Sequence, residues 1–527
     1  MPTLHWIGKE KVINHHRDVP FKVLEHKYGF DNGIQSNDPT NSGNLIIHGD
    51  NLEALKALLP QYEGKVDCIC IDPPYNTGNE HWVYNDNVNH PKIKKWLGEV
   101  VGKDGEDLSR HDKWLCMMYP RLKLLHQLLS KNGAIFIYCD DNEQANLKLI
   151  CDEIFGINNF VANVIWQHSI QPKGYLGKFS VHHNHTLIFS KSSTFSIGNL
   201  ERTDEHNKAY SNPDNDPRGL WRTGDVRNAL YRPNLIYDIQ TPSGKIIPPP
   251  KNGWRWSKST IDEKIKTGEI IFNKTETNII RKIYLDTLEG RAPETIWFGQ
   301  DVGTTRDANK TLKEIFDQDL PFDTPKPYQL IERVINICTN KESIILDSFS
   351  GSGTTAHAVM NSNKDGGNRK FICIEMEDYA ETVTAERVKR VIKGYGSGTK
   401  KVEGTNGSFD FYELGQPIFV GDNSEYLNEE INLEKISEYI WYSETRSPYI
   451  KPTNDDSDYF LGKKEETSYY FIYDKSAETT LDYDLLSEIK TKSQQYVIYA
   501  DNCLLSKEFM MTNNIIFKKI PRDVTRF

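Results

Sequence analysis

Asp72-Pro73-Pro74-Tyr75 sets a carboxylate, two rigid carbonyls and an aromatic ring within four residues. An exocyclic amine on a nucleobase is a poor nucleophile, because its lone pair is delocalised into the ring. Asp72 can accept one N–H of such an amine and the Pro73 carbonyl the other, which favours a pyramidal nitrogen with a localised lone pair, an arrangement realised most fully in a transition state. Tyr75 can stack on the base, and a base held in a duplex must first be flipped out to reach such a set. The same four residues would also serve as a plain proline turn that closes a strand.

A second set lies far along the chain. Ser343 to Thr355, SIILDSFSGSGTT, reads as an apolar strand ending in Asp347, a turn with Gly351 and Gly353, and a helix opened by Thr354. The glycines let a ligand approach the backbone closely. No Gly-Lys-Ser/Thr follows, so this is not a P-loop, and Ala356 stands where a dinucleotide fingerprint has its third glycine. Phe371 to Glu375 is the next strand, and Glu375 sits about where a ribose-binding acid follows a Gly-rich first turn. Together these predict a nucleoside cofactor. Asp50, at the end of the strand Asn44 to Asp50, suits either a ligand's amino group or a helix N-cap. Lys326 stands just before a helix expected to run to Thr339 and to be capped from Thr324.

The elements that must carry these residues alternate strand and helix. Val66 to Ile71 is a near-continuous apolar run, as is Gly133 to Tyr138, and both suit parallel strands covered on two faces. Lys113 to Ser130 is an amphipathic helix, kinked or interrupted at Pro120, and residues 76–112 form a long polar loop. Asp140, Asp141 and Glu143 serve a helix N-terminus in this reading, not a metal. His183-Asn184-His185 reads as an alternating strand with no evident ligand partners, so no metal site is expected.

Residues 163–295 differ in character. Trp166, Lys173, Tyr175, Lys178, Trp221, Arg222, Arg227, Tyr231, Arg232, Trp254, Arg255 and Trp256 interleave aromatic and basic side chains, and the segment carries 19 basic against 14 acidic residues. That is the composition of a nucleic-acid surface or of a β-rich insert with a solvated face. The chain's net charge of −10 is concentrated beyond residue 400, where 14 basic residues face 23 acidic ones. Such a region should avoid DNA. Its strands and apolar helix faces suit a folded unit that contacts protein, either a second copy of the chain or another subunit. The eight cysteines form no C-x-x-C pair and read as reduced thiols. The N-terminus lacks an apolar signal core and no long apolar run occurs, so a cytoplasmic protein that spans no membrane is expected.

A Gly-rich nucleoside loop and Asp-Pro-Pro-Tyr in one sheet, with the catalytic loop first and the cofactor loop last, resembles the permuted β group of amino DNA methyltransferases. Asp50, Trp114 to Arg121, Gly253-Trp254-Arg255-Trp256 and the tail from SFDFYELG to YIWYSETR extend the likeness. Length and tail look most like the modification (Mod) subunit of type III restriction-modification systems. The resemblance implies an α/β fold: a Rossmann-like methyltransferase sheet with an inserted target recognition domain and a small C-terminal α/β domain. The implied division is an arm at 1–40, a catalytic half at 41–162, the recognition domain at 163–295, a cofactor half at 296–395 and a dimerisation or partner domain at 410–527. It also implies S-adenosylmethionine as cofactor. Phe349, Gly351, Gly353 and Thr354 would lie along its methionine part with Lys326 near the carboxylate, Glu375 on the ribose and Asp50 on the adenine amine. Asp72, Pro73, Pro74 and Tyr75 would hold a flipped adenine of double-stranded DNA. Asp rather than Ser at the first position favours adenine over cytosine. Asp347-Ser348-Phe349-Ser350 departs from the group, which usually has Pro second. The implied partners are a second copy and a helicase-nuclease subunit. A stand-alone adenine or N4-cytosine methylase, or a silent DNA-binding protein of the same fold, remains open on these residues.

Overall fold

The computed structural model describes residues 3–77, 107–172, 174, 177–421, 424–453 and 458–527. Most of the expected polar loop at 76–112, and Lys173 and Tyr175, lie outside the described residues. The chain divides into two units, one of residues 1–197 with 294–527 and one of residues 198–293.

The first unit is built on an eleven-stranded sheet. Its order is Ile296–Trp297, Phe160–Gln167, His183–Ser190, Leu129–Cys139, Val66–Ile71, Ile344–Asp347, Lys370–Glu375, Leu45–His48, Ser408–Pro417, Lys22–Asp31 and Ile34–Ser36. The six strands from Leu129–Cys139 to Ser408–Pro417 are parallel, and the flanking neighbours are antiparallel. Ile46, Ile69, Leu346 and Ile372 are fully buried, as expected of strands covered on both faces. From Val66–Ile71 the next strand is laid to one side, and from Ile344–Asp347 to the other. The sheet therefore reverses its winding between these two strands. The loops beyond their carboxyl ends diverge there and leave a crevice.

Several boundaries differ from the sequence reading. The arm at 1–40 is not separate from the core: Lys22–Asp31 and Ile34–Ser36 are strands of the main sheet. Buried Asp410 ties this arm down by accepting from the Thr40 amide and hydroxyl, each at 2.7 Å, and from His26 at 3.1 Å. Residues 163–197 belong to the main sheet through two long strands, because Phe160–Gln167 and His183–Ser190 pair with each other. The compact insert is residues 198–293. Ser408–Pro417 is an inner strand of the main sheet, so the expected C-terminal domain does not begin at 410 as a separate body. Beyond it, a four-stranded sheet contains Phe460–Lys464, Thr467–Phe471, Gln495–Ala500 and Ile515–Lys519. The helix Asp107–Leu128 runs on through Pro120. The helix after Lys326 starts at Tyr328, and Pro327 gives it no side-chain cap. Among the described residues, no helix is long and apolar enough to cross a membrane.

The insert has its own core of Val226, Ile239, Ile247, Trp254, Ile261, Ile270 and Ile279. A three-stranded sheet of Ile270–Phe272, Ile279–Tyr284 and Trp221–Gly224 carries it.

Phe411 is 2% exposed and stacks on Tyr28 at 5.1 Å. Phe411→Ala is expected to lower global stability by about 3–5 kcal/mol through the cavity it leaves. Ile516→Ala, in the half-exposed tail strand, should change it by less than about 0.5 kcal/mol. Urea unfolding of the full chain measures both, and an unchanged midpoint for Phe411→Ala would contradict an inner position for this strand.

Candidate active site

The strand Val66–Ile71 delivers Asp72 to the crevice, and the loop after it is pinned from both ends. Trp114 Nε1 donates to the Pro74 carbonyl at 2.7 Å. Among the described residues none donates to the Pro73 carbonyl. Asn76 is fully buried in the left-handed region at φ 58°. Its amide donates to the Glu143 carboxylate, which also accepts from His111 at 2.6 Å and Asn146 at 2.9 Å. Glu143 stands at the N-cap of the helix Gln144–Phe155, as the sequence reading has it, but its side chain caps no amide and holds the residue after the tetrapeptide instead.

Asp72 and Lys326 form an ion pair through Oδ2. The other carboxylate oxygen, Oδ1, is buried with no hydrogen-bond partner. Lys326 Nζ also lies 5.1 Å from the centroid of the Tyr75 ring and 5.8 Å from that of Tyr138. Burial, and next the charge of Asp72, hold the Tyr75 phenol well above its ordinary pKa, so it stays neutral. Asn184 Nδ2 lies 3.5 Å from its hydroxyl.

The glycine turn is shaped from within. Asp347 is buried, and its oxygens accept from the Phe349 amide at 3.0 Å and the Thr355 hydroxyl at 2.6 Å. Gly351 and Gly353 have φ of +50° and +76°. A Cβ on Gly351 would come 2.9 Å from the Phe322 ring, and one on Gly353 2.9 Å from the Thr384 carbonyl. Glu375 is buried and accepts from the amides of Gly351, Met376 and Glu377 at 2.7–3.1 Å. Beneath the turn, buried Arg387 donates to the Ser352 hydroxyl at 2.9 Å and the Thr354 hydroxyl at 2.8 Å. Burial lowers its pKa to about 10, so it remains charged at neutral pH.

One cavity of about 560 Å³ joins the two loops. Asp72, Pro73, Pro74, Tyr75, Lys326, Asp347, Phe349, Gly351 and Thr354 all line it. Gly353, Glu375 and Asp50 are not among its lining residues. Gly353 and Glu375 support the turn from behind. Asp50 caps the helix Asn51–Tyr62, accepting from Leu52 and Glu53 at 2.9 and 3.1 Å, with Arg121 3.5 Å from its other oxygen. Arg121 donates to Asn51 at 2.5 Å and Asn51 to the Ser348 carbonyl at 3.1 Å, which links that helix to the glycine turn. Sequence reasoning missed the parts played by Asn76, Glu143, Arg387, Tyr138 and Asn184. Asn76 carried a signal, since Asn is among the few residues that adopt the left-handed region readily.

A family model for DNA methylases of the N6/N4 type matches residues 66–386. Among curated proteins, the chain is 35% identical over 347 residues to the type III restriction-modification enzyme StyLTI Mod subunit of Salmonella typhimurium, covering 63% of this chain and 52% of that one. It is 33% identical over 421 residues to the EcoPI Mod subunit of Escherichia phage P1, covering 71% and 64%. It is 33% identical over 359 residues to the type II methyltransferase M.KpnI of Klebsiella pneumoniae, covering 64% and 81%. The chain thus spans between about half and two thirds of the length of the two Mod subunits.

Burial pushes the carboxyl of Asp347 up to about 7, with the nearby charge of Asp72 adding to the effect. Between about pH 4 and pH 7 the unfolded carboxyl is ionised while the folded one keeps its proton, so stability should fall as pH rises through that window. Asp347→Asn keeps an acceptor for the turn and cannot titrate. Urea midpoints at pH 5.5 and pH 8 are expected to differ less in Asp347→Asn than in the unaltered chain. Equal differences would show that Asp347 does not titrate in this range.

Proposed function

The chain belongs to the N6/N4 DNA methylase family, and from that premise we propose that it transfers a methyl group from S-adenosylmethionine to the exocyclic N6 amine of adenine in DNA. The observation that carries the reading is the orphaned Asp72 Oδ1, buried beside Tyr75 in the same cavity as the glycine turn. A buried acceptor without a donor is costly unless a ligand completes it.

The residues present fit the cofactor. Gly351 lines the cavity where a Cβ would close on Phe322, so the bare backbone leaves room for a ligand. Phe349, Gly351 and Thr354 would hold the methionine part, with Gly353 keeping the turn in shape. Glu375 would take the ribose hydroxyls on the lone pairs its amide partners leave over, and Asp50 the adenine amine in addition to its capping bonds. When bound, the cofactor supplies an electrophilic methyl on a sulfonium. The rest is work for this chain's own groups. With Lys326 on Oδ2, Asp72 Oδ1 is the acceptor left for the base amine. With Trp114 on the Pro74 carbonyl, the Pro73 carbonyl is the second acceptor. Both would hold the amine's N–H bonds out of the ring plane and so keep the nitrogen lone pair out of conjugation, and Tyr75 would fix the base plane by stacking. Positioning and acceptor placement supply the catalysis. Lys326 would also serve the cofactor's carboxylate, from its place between Asp72 and the glycine turn.

Asp at the first motif position supports adenine, and similarity to two Mod subunits supports a modification subunit of a type III system. A helicase-nuclease partner and a homodimer through the acidic tail belong to that reading. The insert would recognise the target sequence. Its Trp256 is flanked by Arg255, Arg281 and Lys264 at 5.2–5.7 Å, a grouping suited to bases and phosphates. N4 methylation of cytosine is the alternative product within the same family.

Nucleoside analysis of DNA incubated with the protein and labelled S-adenosylmethionine tests the reading. The expected product is N6-methyladenine, and N4-methylcytosine would overturn the choice of base. Asp72→Ala should lower the transfer rate by about 10²-fold or more, as removal of a transition-state partner does. Its affinity for the cofactor, measured by calorimetry, should stay within about threefold.

Replacing Gly351 by Val should act the other way. A branched side chain at positive φ against Phe322 should weaken cofactor binding about tenfold or more, and unchanged affinity would remove this turn from the cofactor site.

A further inference from the structure

We propose that Asp141, His183 and His185 form a binding site for a zinc-class divalent cation, outside the cavity described above. One donor atom from each lies within 4.8 Å of the other two. Asp141 Oδ1 is 2.9 Å from His185 Nε2 and 3.7 Å from His183 Nε2. Ligands about 2.0–2.1 Å from a tetrahedral ion stand roughly 3.4 Å apart, so the observed spacings need only small side-chain adjustments to close around one.

The backbone builds this grouping. His183 and His185 alternate on one strand, so both face the same side of the sheet. Cys139 pairs with His185 in antiparallel register, which sets Asp141, two residues on, level with His183. The Asn163 amide lies 3.1–3.2 Å from His185 Nδ1. Without an ion, Nε2–H donates to Asp141; with one bound, the Asn163 Oδ1 would accept the Nδ1 proton and free the Nε2 lone pair for the ion, the usual way an outer partner orients a histidine ligand. The two imidazole centroids are 5.2 Å apart. Two imidazoles and one carboxylate select zinc, cobalt or nickel over magnesium or calcium.

The ion would tie together the two segments that flank Tyr75. Asn184, between the two histidines, points to the opposite side, where its amide meets the Tyr75 hydroxyl. Glu143, two residues after Asp141, holds Asn76. The sequence reading expects no metal at His183, His185 or Asp141, because these residues meet only through strand pairing. The proposal does not depend on the methylation reading.

The test uses the untagged full chain, stripped with a chelator and desalted. Calorimetry with Zn²⁺ is expected to show one saturable equivalent. Co²⁺ should give visible absorption bands that Zn²⁺ displaces, and Zn²⁺ should raise the melting temperature. Asp141→Ala, whose side chain is largely exposed, should fold as the parent does and lose the equivalent. His183→Gln with His185→Gln should do the same, with folding checked by circular dichroism. Asn163→Ala should weaken binding about 10–100-fold. Absence of saturable binding at about 100 μM Zn²⁺ would overturn the proposal, as would an equivalent retained by Asp141→Ala. Binding of Mg²⁺ as tight as that of Zn²⁺ would overturn the assigned ion class.

Discussion

The pairing of Val66–Ile71 with Ile344–Asp347 is the constraint on which the rest depends. It is short, with Cys68 against Ile345 and Ile69 against Leu346. It brings together two loops that are far apart in the chain. Because the strands on either side are laid outward from this pair, no crossover covers the space above it. Asp72 and the glycine turn therefore share one cavity. Fully buried side chains on both strands hold the register, and a slip of one residue would turn Asp72 and Asp347 to the wrong faces.

Around that pair the molecule keeps charged and polar groups largely shielded from water. Asp347, Glu375 and Arg387 are buried, and the Asp72–Lys326 pair is partly so. Each has named partners, and most of those partners belong to the two loops themselves. Such a network adds little net stability, because desolvation offsets much of the attraction. It holds the loops in a single shape before any ligand arrives. Donors and acceptors that are already aligned need no reorganisation during a reaction. The carboxyls of Asp347 and Glu375, both raised to about 7 by burial, mark where the surroundings are least like water.

The insert and the tail attach to this core differently. The insert folds around its own tryptophan-centred cluster and is a separate compact unit. The tail is continuous with the core. Ser408–Pro417 is an inner strand, and Tyr442 of the helix Leu433–Thr445 belongs to the main hydrophobic cluster and bonds to Glu63 within 2.5 Å. A cut at residue 410 would therefore remove part of the sheet that carries the site, so a partner role for the acidic tail has to be probed by surface substitutions beyond the strand.

The sequence by itself determined five of the six parallel strands, the residues at their ends and the order of the two loops, but not the strands of the arm nor Ser408–Pro417. Continuous apolar runs, prolines and positive-φ glycines act within a few residues, and so they are legible locally. Asp72 to Tyr75, Asp347 and the glycines were all readable in this way, and the cavity unites most of them. Tertiary structure decided which neighbours each one acquired. Glu143 on Asn76, Trp114 on Pro74, Arg387 under the turn and Asp141 beside two histidines all come from strands and helices whose pairing spans large distances in sequence. The same held for Asp50, where a strand-end carboxylate suited two roles equally and only the placement of Leu52, Glu53 and Arg121 showed it to be a cap. Long-range pairing is set by the packing of whole faces, and no single stretch of residues carries that information.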